Sequence, residues 1–166
     1  MPDDKRYLTW CIRQKRGIRL IAVSDNLVKA YLQKTQNALK SMEVNAQAGI
    51  PDWSVSASYY AKYFAVYALL SKIGVKCEIH DCTITLFSYL FSTAQYHDLV
   101  KELRQSKEDR VDVQYYSKEV KTDLDNIIPQ TKQFVLQIEE IIDTLNAEKI
   151  ADLQKNLKEL IHTRRR

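Results

Sequence analysis

The stretch of residues 52–74, DWSVSASYYAKYFAVYALLSKIG, is the feature that most constrains the fold of this chain. Alanines recur in it at helical spacing, at positions 57, 61, 65 and 68, and apolar or aromatic residues surround them. A helix that is apolar nearly all round lies inside a bundle rather than on its surface. Asp52 or Ser54 is predicted to cap the start of this helix, and Gly74 is predicted to end it. The sequence therefore predicts one buried central helix over residues 52–74.

Apolar residues also recur at helical spacing along most of the remaining chain. Further helices are predicted from Ser24 or Asp25 to about 48, from His80 or Asp81 to about 91, from 92 or 93 toward 116, and from 125 or 126 to 145. A slip in the apolar register predicts a break near residues 146–149, followed by a last helix. Pro129 is expected in a first turn, where the missing amide would be unpaired anyway.

Only three glycines and three prolines are present, which argues against a many-turned β fold. The predicted fold class is all-α, an antiparallel up-and-down helical bundle of five to six helices. The 166 residues are enough for one domain with a substantial core. We predict a basic N-terminal arm at 1–22, a helical bundle at 23–147 and a C-terminal basic helix at 148–166.

Charge is distributed unevenly along the chain, although the net charge is only +4. Residues 1–22 hold six Lys/Arg against two acids, residues 155–166 hold five against one, and the middle holds 14 basic and 18 acidic residues. Such basic ends, which include Arg164–Arg166, suit contact with RNA phosphates or an acidic partner, or are simply solvated surface. The arm also carries apolar residues, so we expect it to lie on the bundle or on a second subunit.

The cysteine and hydropathy patterns suit a cytoplasmic protein. The longest apolar run, at 64–70, is far shorter than a membrane span, and the N-terminus lacks the apolar run of a secretion signal. No membrane association is predicted. Three cysteines without dense spacing suit reduced thiols in a reducing compartment.

Few residues suggest a metal or cofactor site. Glycines at 17, 49 and 74 cannot form a phosphate-binding loop. Cys77, His80 and Cys82 are zinc-ligand types, and Cys11 could approach them in space, but capping and core packing explain them better. We predict neither a metal nor a cofactor.

The segment EDRVDVQYY, residues 108–116, is a stronger candidate for function. Arg110 and Asp112 lie near the end of a predicted helix, and Tyr115 and Tyr116 follow them. The alternative interpretation is an Arg–Asp ion pair and two amphipathic rings at a bundle edge, since such pairs are common and weak.

These residues bear a resemblance to a known family. Over roughly Asn26–Leu145 the chain resembles small prokaryotic HEPN-domain proteins, of a type found especially in archaea. The resemblance lies in the long first helix, in the tryptophan, double-tyrosine and small-residue helix followed by His80, and in the Arg–Asp–Tyr end of a later helix. It implies a helical bundle, commonly a homodimer, and frequent pairing with a minimal nucleotidyltransferase in toxin–antitoxin systems.

The resemblance also implies a possible ribonuclease motif. Active HEPN proteins are metal-independent endoribonucleases that use an arginine on the scissile phosphate and a histidine about five positions later. Here the arginine matches Arg110, but position 115 holds tyrosine. Phenols ordinarily ionise near pH 10 and are poor general bases at neutral pH. His80 resembles a separate histidine that precedes the third helix in this branch of the family.

Three hypotheses about function follow. The first is a dimeric, catalytically weak or silent HEPN module that binds a nucleotidyltransferase partner, RNA or a nucleotide. The second is an active RNA endonuclease using Arg110 with Tyr115, Tyr116 or an unexpected histidine, and the third is a structural helical adaptor. The candidate catalytic residues are Arg110 and Tyr115, and the candidate binding residues are Arg110, Asp112, Tyr115, Tyr116 and His80.

Overall fold

The computed structural model describes residues 4–116 and 123–165, and this described part is an all-α bundle. It contains seven α-helices and one short 3₁₀ turn at Ala94–Tyr96. The helices are α1 Asp4–Arg13, α2 Asp25–Gln47, α3 Pro51–Ile73, α4 His80–Leu90, α5 His97–Tyr115, α6 Leu124–Thr144 and α7 Ala147–Arg165. The predicted class is confirmed, with one helix more than the five to six predicted because the N-terminal arm forms a helix of its own.

Helix α3 is the centre of the bundle, as its apolar sequence predicts. It contacts α2, α4, α5, α6 and α7, and nearly every residue from Ser54 to Ile73 is buried. Ala61, Ala65 and Ala68 are fully buried, so the stripe of small residues lies inside the core. A helix surrounded in this way needs apolar side chains on every face.

The end of α3 is predicted correctly, but the cap at its start is not. Gly74 is the C-cap with a φ of 80°, and a Cβ at this position would lie 2.8 Å from the carbonyl oxygen of Ile21. Neither Asp52 nor Ser54 caps the start: the N-cap residue is Ile50, Pro51 occupies the first turn, and Ser54 Oγ donates to the Met42 carbonyl oxygen at 2.9 Å. Proline replaces a side-chain cap because it removes one of the unpaired amides.

Three other predicted helix starts differ from the structure. Helix α5, predicted from 92 or 93, begins at His97 after the short 3₁₀ turn. Helix α6 begins at Leu124 after the N-cap Asp123, which puts Pro129 at the sixth helical position rather than in the first turn. Helix α4 begins at His80 with Ile79 as the N-cap, and neither His80 nor Asp81 caps it through a side chain. The cap at Ser24 is confirmed, since Ser24 Oγ accepts from the Leu27 amide at 3.3 Å.

The N-terminal arm packs on the bundle of the same chain. Leu8, Cys11, Ile12 and Ile18 are buried in the main core cluster, and α1 contacts α4 and α7. After α1 the chain forms strand β1, Arg19–Leu20, which pairs antiparallel with β2, Val75–Lys76. These apolar residues therefore need no second subunit to cover them, which removes one of the two reasons for predicting a dimer.

The prediction of three reduced cysteines is wrong. Cys11 on α1 and Cys82 on α4 form a disulfide across 71 residues of sequence, and Cys77 is a free, buried cysteine. The two side chains meet because α1 packs against α4, a tertiary contact that residue spacing alone does not reveal. The disulfide also removes both cysteines from any metal site with Cys77 and His80.

One lysine is buried in the largely apolar α3. Lys62 is 2% exposed; its ammonium donates to Ser106 Oγ at 2.8 Å and lies 2.8 Å from Glu102 Oε1, both on α5. A buried charge is costly unless it is paired and hydrogen-bonded. Lys62 therefore fixes the register between α3 and α5, the helix that carries Arg110.

The division into arm, bundle and C-terminal helix remains a prediction, although a break between helices does occur at Leu145–Asn146. None of the described helices is both long and apolar enough to span a membrane. Residues 117–122 and the side chains of the basic tail Arg164–Arg166 lie outside the described residues.

Candidate functional site

Arg110 lies near the C-terminal end of α5 and packs inward on α3. Its Nε donates to Gln114 Oε1, one helical turn later, at 3.0 Å. Its Cζ lies 5.2 Å from the ring centroid of Tyr60 and 5.5 Å from that of Tyr59. A guanidinium over aromatic faces is held by cation–π attraction and keeps its full charge. Arg110 is therefore an oriented cation with a planar fork of donors.

His80, the first residue of α4, meets the same tyrosines. Its Nδ1 is 2.7 Å from the Tyr59 hydroxyl oxygen, and its ring stacks on Tyr63 with 4.2 Å between centroids and 10° between planes. The edge of the ring approaches Tyr60 at 6.3 Å. Because Tyr59, Tyr60 and Tyr63 are at positions i, i+1 and i+4 of α3, neighbouring faces of one helix hold both His80 and Arg110.

The surroundings of His80 favour a neutral imidazole. Burial lowers the pKa of His80, the positive charge of Arg110 lowers it further, and that of Lys107 adds to this, whereas the carboxylate of Asp81 opposes the shift. Burial also raises the pKa of Tyr59, so its hydroxyl keeps its proton at working pH. When this phenol donates to Nδ1, the proton of the neutral imidazole lies on Nε2. The Nε2–H group is then a hydrogen-bond donor.

An ion pair ties α4 to α5 beside this cluster. Lys107 Nζ donates to Asp81 Oδ1, and Lys107 lies one turn before Arg110 while Asp81 directly follows His80. The pair therefore contributes to holding His80 and Arg110 on the same tyrosines. We call the group formed by Tyr59, Tyr60, Tyr63, His80 and Arg110 the arginine–histidine cluster.

Comparison with known proteins decides the family. The model of the HEPN domain matches residues 28–148, well over half of the chain. This chain belongs to the HEPN-domain family. No curated protein and no solved structure matches it significantly. The family match confirms the resemblance drawn from the sequence. It shows neither an activity nor a partner of this chain.

The candidate residues of this HEPN domain separate into two groups. Arg110 and His80 share the arginine–histidine cluster. Tyr115 is the last residue of α5 and is 69% exposed, and Tyr116, its C-cap, is 67% exposed. Five residues advance about 140° around a helix, so Tyr115 leaves α5 in a different direction from Arg110. Asp112 is partly buried, and its carbonyl oxygen accepts from the Tyr116 amide at 3.2 Å.

Sequence reasoning missed the role of the tyrosines. Tyr59, Tyr60 and Tyr63 are predicted only as core residues around the alanine stripe, and they do fill that core. The available signal is a histidine that follows a tyrosine-rich helix, together with the double tyrosine of the family resemblance. Among the described residues, no group of three or more His, Cys, Asp or Glu is arranged to hold a metal ion.

Proposed function

We propose that this HEPN protein binds RNA or a nucleotide through a phosphate contact of Arg110 and has little or no ribonuclease activity of its own. The observation that carries the proposal is the guanidinium of Arg110 over Tyr59 and Tyr60, next to the neutral imidazole of His80. A guanidinium matches two phosphate oxygens with parallel donors, and pre-orientation reduces the entropy lost on binding.

The histidine supports binding more than proton transfer. In the tautomer in which Tyr59 donates to Nδ1, His80 offers an N–H donor on Nε2, which complements an anion such as phosphate. A general base needs an unprotonated nitrogen within reach of the proton that it removes. Arg110 and His80 together therefore suit recognition of a phosphodiester.

We propose in addition that the protein is a homodimer and works with a minimal nucleotidyltransferase in a toxin–antitoxin pair. The homodimer and the nucleotidyltransferase partner are both proposed because HEPN proteins commonly have them. A monomeric mass of the full chain at micromolar concentration, measured by sedimentation, would contradict the dimer. Binding to the product of a neighbouring nucleotidyltransferase gene tests the partner directly.

The binding proposal is tested by fluorescence anisotropy with labelled single-stranded RNA. Arg110→Ala should weaken binding by about 1–3 kcal/mol, the range for losing a charge-assisted contact. Lys101→Ala is the matched control, because it removes one positive charge from an exposed position on the same helix. Equal, small losses in both variants would indicate general electrostatic attraction rather than a site at Arg110.

A second candidate function is RNA cleavage with His80 in place of the missing motif histidine. The proximity of His80 and Arg110 on one pair of tyrosines favours it over the structural adaptor. In the opposite tautomer, with the proton on Nδ1, the Nε2 of His80 is an unprotonated base at neutral pH. Cleavage that is lost in His80→Gln would support this function.

A further inference from the structure

A groove between α2 and α3 opens beside the arginine–histidine cluster. It encloses a cavity of about 440 Å³, within the range of small-molecule sites. Its lining consists of Trp53, Ser56, Ala57, Tyr60 and Phe64 from α3 and of Lys34, Asn37, Ala38 and Ser41 from α2. We call it the base groove.

The wall on α3 is made mainly of aromatic side chains, with the small residue Ala57 among them. Trp53, Ala57, Tyr60 and Phe64 follow one another at helical spacing on one face, and Trp53 is 62% exposed. The methyl group of Ala57 occupies little space between the two larger rings on either side. Unpaired bases stack on exposed aromatic side chains in proteins that bind single-stranded nucleic acid.

The wall on α2 is polar at its rim. Lys34 Nζ lies 5.5 Å from the Phe64 ring centroid, which brings a positive charge to the groove. Asn37 and Ser41 add an amide and a hydroxyl. A planar π face, hydrogen-bonding edges and a negative backbone are the chemistry of a nucleotide, and this groove complements all three.

One residue joins the groove to the proposed phosphate site. Tyr60 lines the base groove and also lies beneath the guanidinium of Arg110, 5.2 Å from ring centroid to Cζ. A ligand that carries both a flat ring and an anion complements both places. We infer that the base groove is the subsite for an unpaired base of single-stranded RNA whose phosphate binds Arg110. This inference rests on the proposed function.

The test uses the full chain with Trp10→Phe, which leaves Trp53 as the sole tryptophan. Its emission is followed during titration with a single-stranded RNA of about eight nucleotides and with an abasic oligomer of the same length. Stacking on Trp53 should quench the emission with RNA and not with the abasic oligomer. Affinities for both oligomers are measured separately by anisotropy.

Two variants of the base groove should affect only the oligomer that has bases. Trp53→Ala removes one aromatic side chain of the groove, and Ala57→Leu adds bulk between its rings. Each should weaken RNA binding about tenfold, the lower part of the range for one stacked base. Affinity for the abasic oligomer should stay unchanged. Tyr89→Ala, at an exposed aromatic residue on α4, and Ala30→Leu, at an exposed position on α2, are the matched controls.

The outcomes separate this inference from the proposed function. If Arg110→Ala weakens both oligomers while Trp53→Ala weakens neither or both equally, the base subsite is wrong and the phosphate site stands. If the native protein binds neither oligomer, both proposals fail. If Trp53→Ala instead turns a dimer into a monomer and leaves the affinity for RNA unchanged, the groove is an interface between two copies of the chain.

Discussion

His80 Nδ1 lies 2.7 Å from the hydroxyl oxygen of Tyr59, and this bond joins the start of α4 to the buried centre of α3. The groups that face His80 come from three helices: Tyr59, Tyr60 and Tyr63 on α3, Asp81 on α4, and Lys107 and Arg110 on α5. The pKa of His80 therefore depends on how these helices pack against one another.

The first prediction concerns the pKa of His80 and the stability of the fold. Burial lowers this pKa in the folded state and Arg110 lowers it further, so NMR titration should give a value below the ordinary 6.5 or so. Below the unfolded pKa the unfolded chain binds more protons than the folded one. The free energy of unfolding should therefore fall as pH drops from about 6.5 through the folded pKa.

Two variants check the cause of this dependence. Arg110→Ala should raise the pKa of His80, because a neighbouring positive charge is removed, whereas Lys101→Ala should leave it unchanged. In His80→Gln, which cannot titrate, the free energy of unfolding should vary less between about pH 7 and pH 5 than in the native protein. An unchanged pH dependence in this variant would show that other groups produce it.

The second prediction concerns the alanine stripe of α3. Ala61 is fully buried, so Ala61→Leu should overpack the core and lower the free energy of unfolding by about 1–3 kcal/mol. Ala30→Leu adds the same atoms at an exposed position of α2 and should change stability by less than about 0.5 kcal/mol. Urea unfolding of both variants makes the comparison. Equal stability of the two variants would show that position 61 tolerates larger side chains.

The sequence predicts α3 well because the signals are local. Apolar residues at helical spacing lie within its 23 residues, and Gly74 follows them directly. The class of the fold and the break at Leu145–Asn146 follow from the same kind of local periodicity. Helix starts are predicted less well, since an N-cap depends on the conformation of one residue, such as Ile79 or Ile50.

The site is less predictable because its residues come from three separate helices. Arg110 and Tyr60 come into contact only when α5 packs on α3, and the spacing of these residues in the sequence does not predict the contact. The same holds for Cys11 and Cys82, which are 71 residues apart, and for Lys62, whose partners Glu102 and Ser106 lie on α5. The family resemblance supplies Arg110 and His80 as candidates, and it includes the double tyrosine only as part of a helix pattern, not as the surface on which Arg110 and His80 meet.

The third prediction concerns the disulfide between Cys11 and Cys82. A thiol reagent should find one reactive cysteine, Cys77, in the unfolded protein without reductant and all three after reduction. Because the bridge closes a loop of 71 residues, replacing both of its cysteines by serine should cost about 2–5 kcal/mol of stability. Cys77→Ser is the control, since it leaves the bridge intact. Three reactive thiols in the unreduced protein would contradict the pairing.

This pairing also bears on where the protein works. Disulfides persist mainly in oxidising compartments, with the intracellular proteins of hyperthermophiles as an exception. The cytoplasmic location remains a prediction, and the argument that reduced cysteines support it no longer applies. The thiol count from freshly isolated protein therefore tests both the bridge and the environment in which the chain folds.

The last prediction concerns ribonuclease activity, which should be absent or weak in the native protein. The position at which active HEPN proteins carry histidine holds Tyr115, and a phenol is almost wholly protonated at pH 7. General acid–base catalysis contributes about 10²–10⁴-fold, and most of that should be missing. Tyr115→His restores an imidazole and should raise the cleavage rate by at most this factor. Arg110→Ala in the Tyr115→His background should abolish the gain, because the phosphate loses its guanidinium.

The assay compares these variants and His80→Gln on one single-stranded RNA and on its 2′-deoxy analogue. Cleavage by attack of the 2′-hydroxyl needs that group, so the deoxy oligomer separates true activity from contaminating nucleases that cut DNA. If the native protein cleaves RNA as fast as active relatives and both Arg110→Ala and His80→Gln abolish cleavage, the silent binding module is wrong and His80 replaces the motif histidine. If Arg110→Ala alters neither cleavage nor RNA binding and only lowers stability, the role of Arg110 is structural. Its stacking on Tyr59 and Tyr60 then serves the packing of α5 on α3.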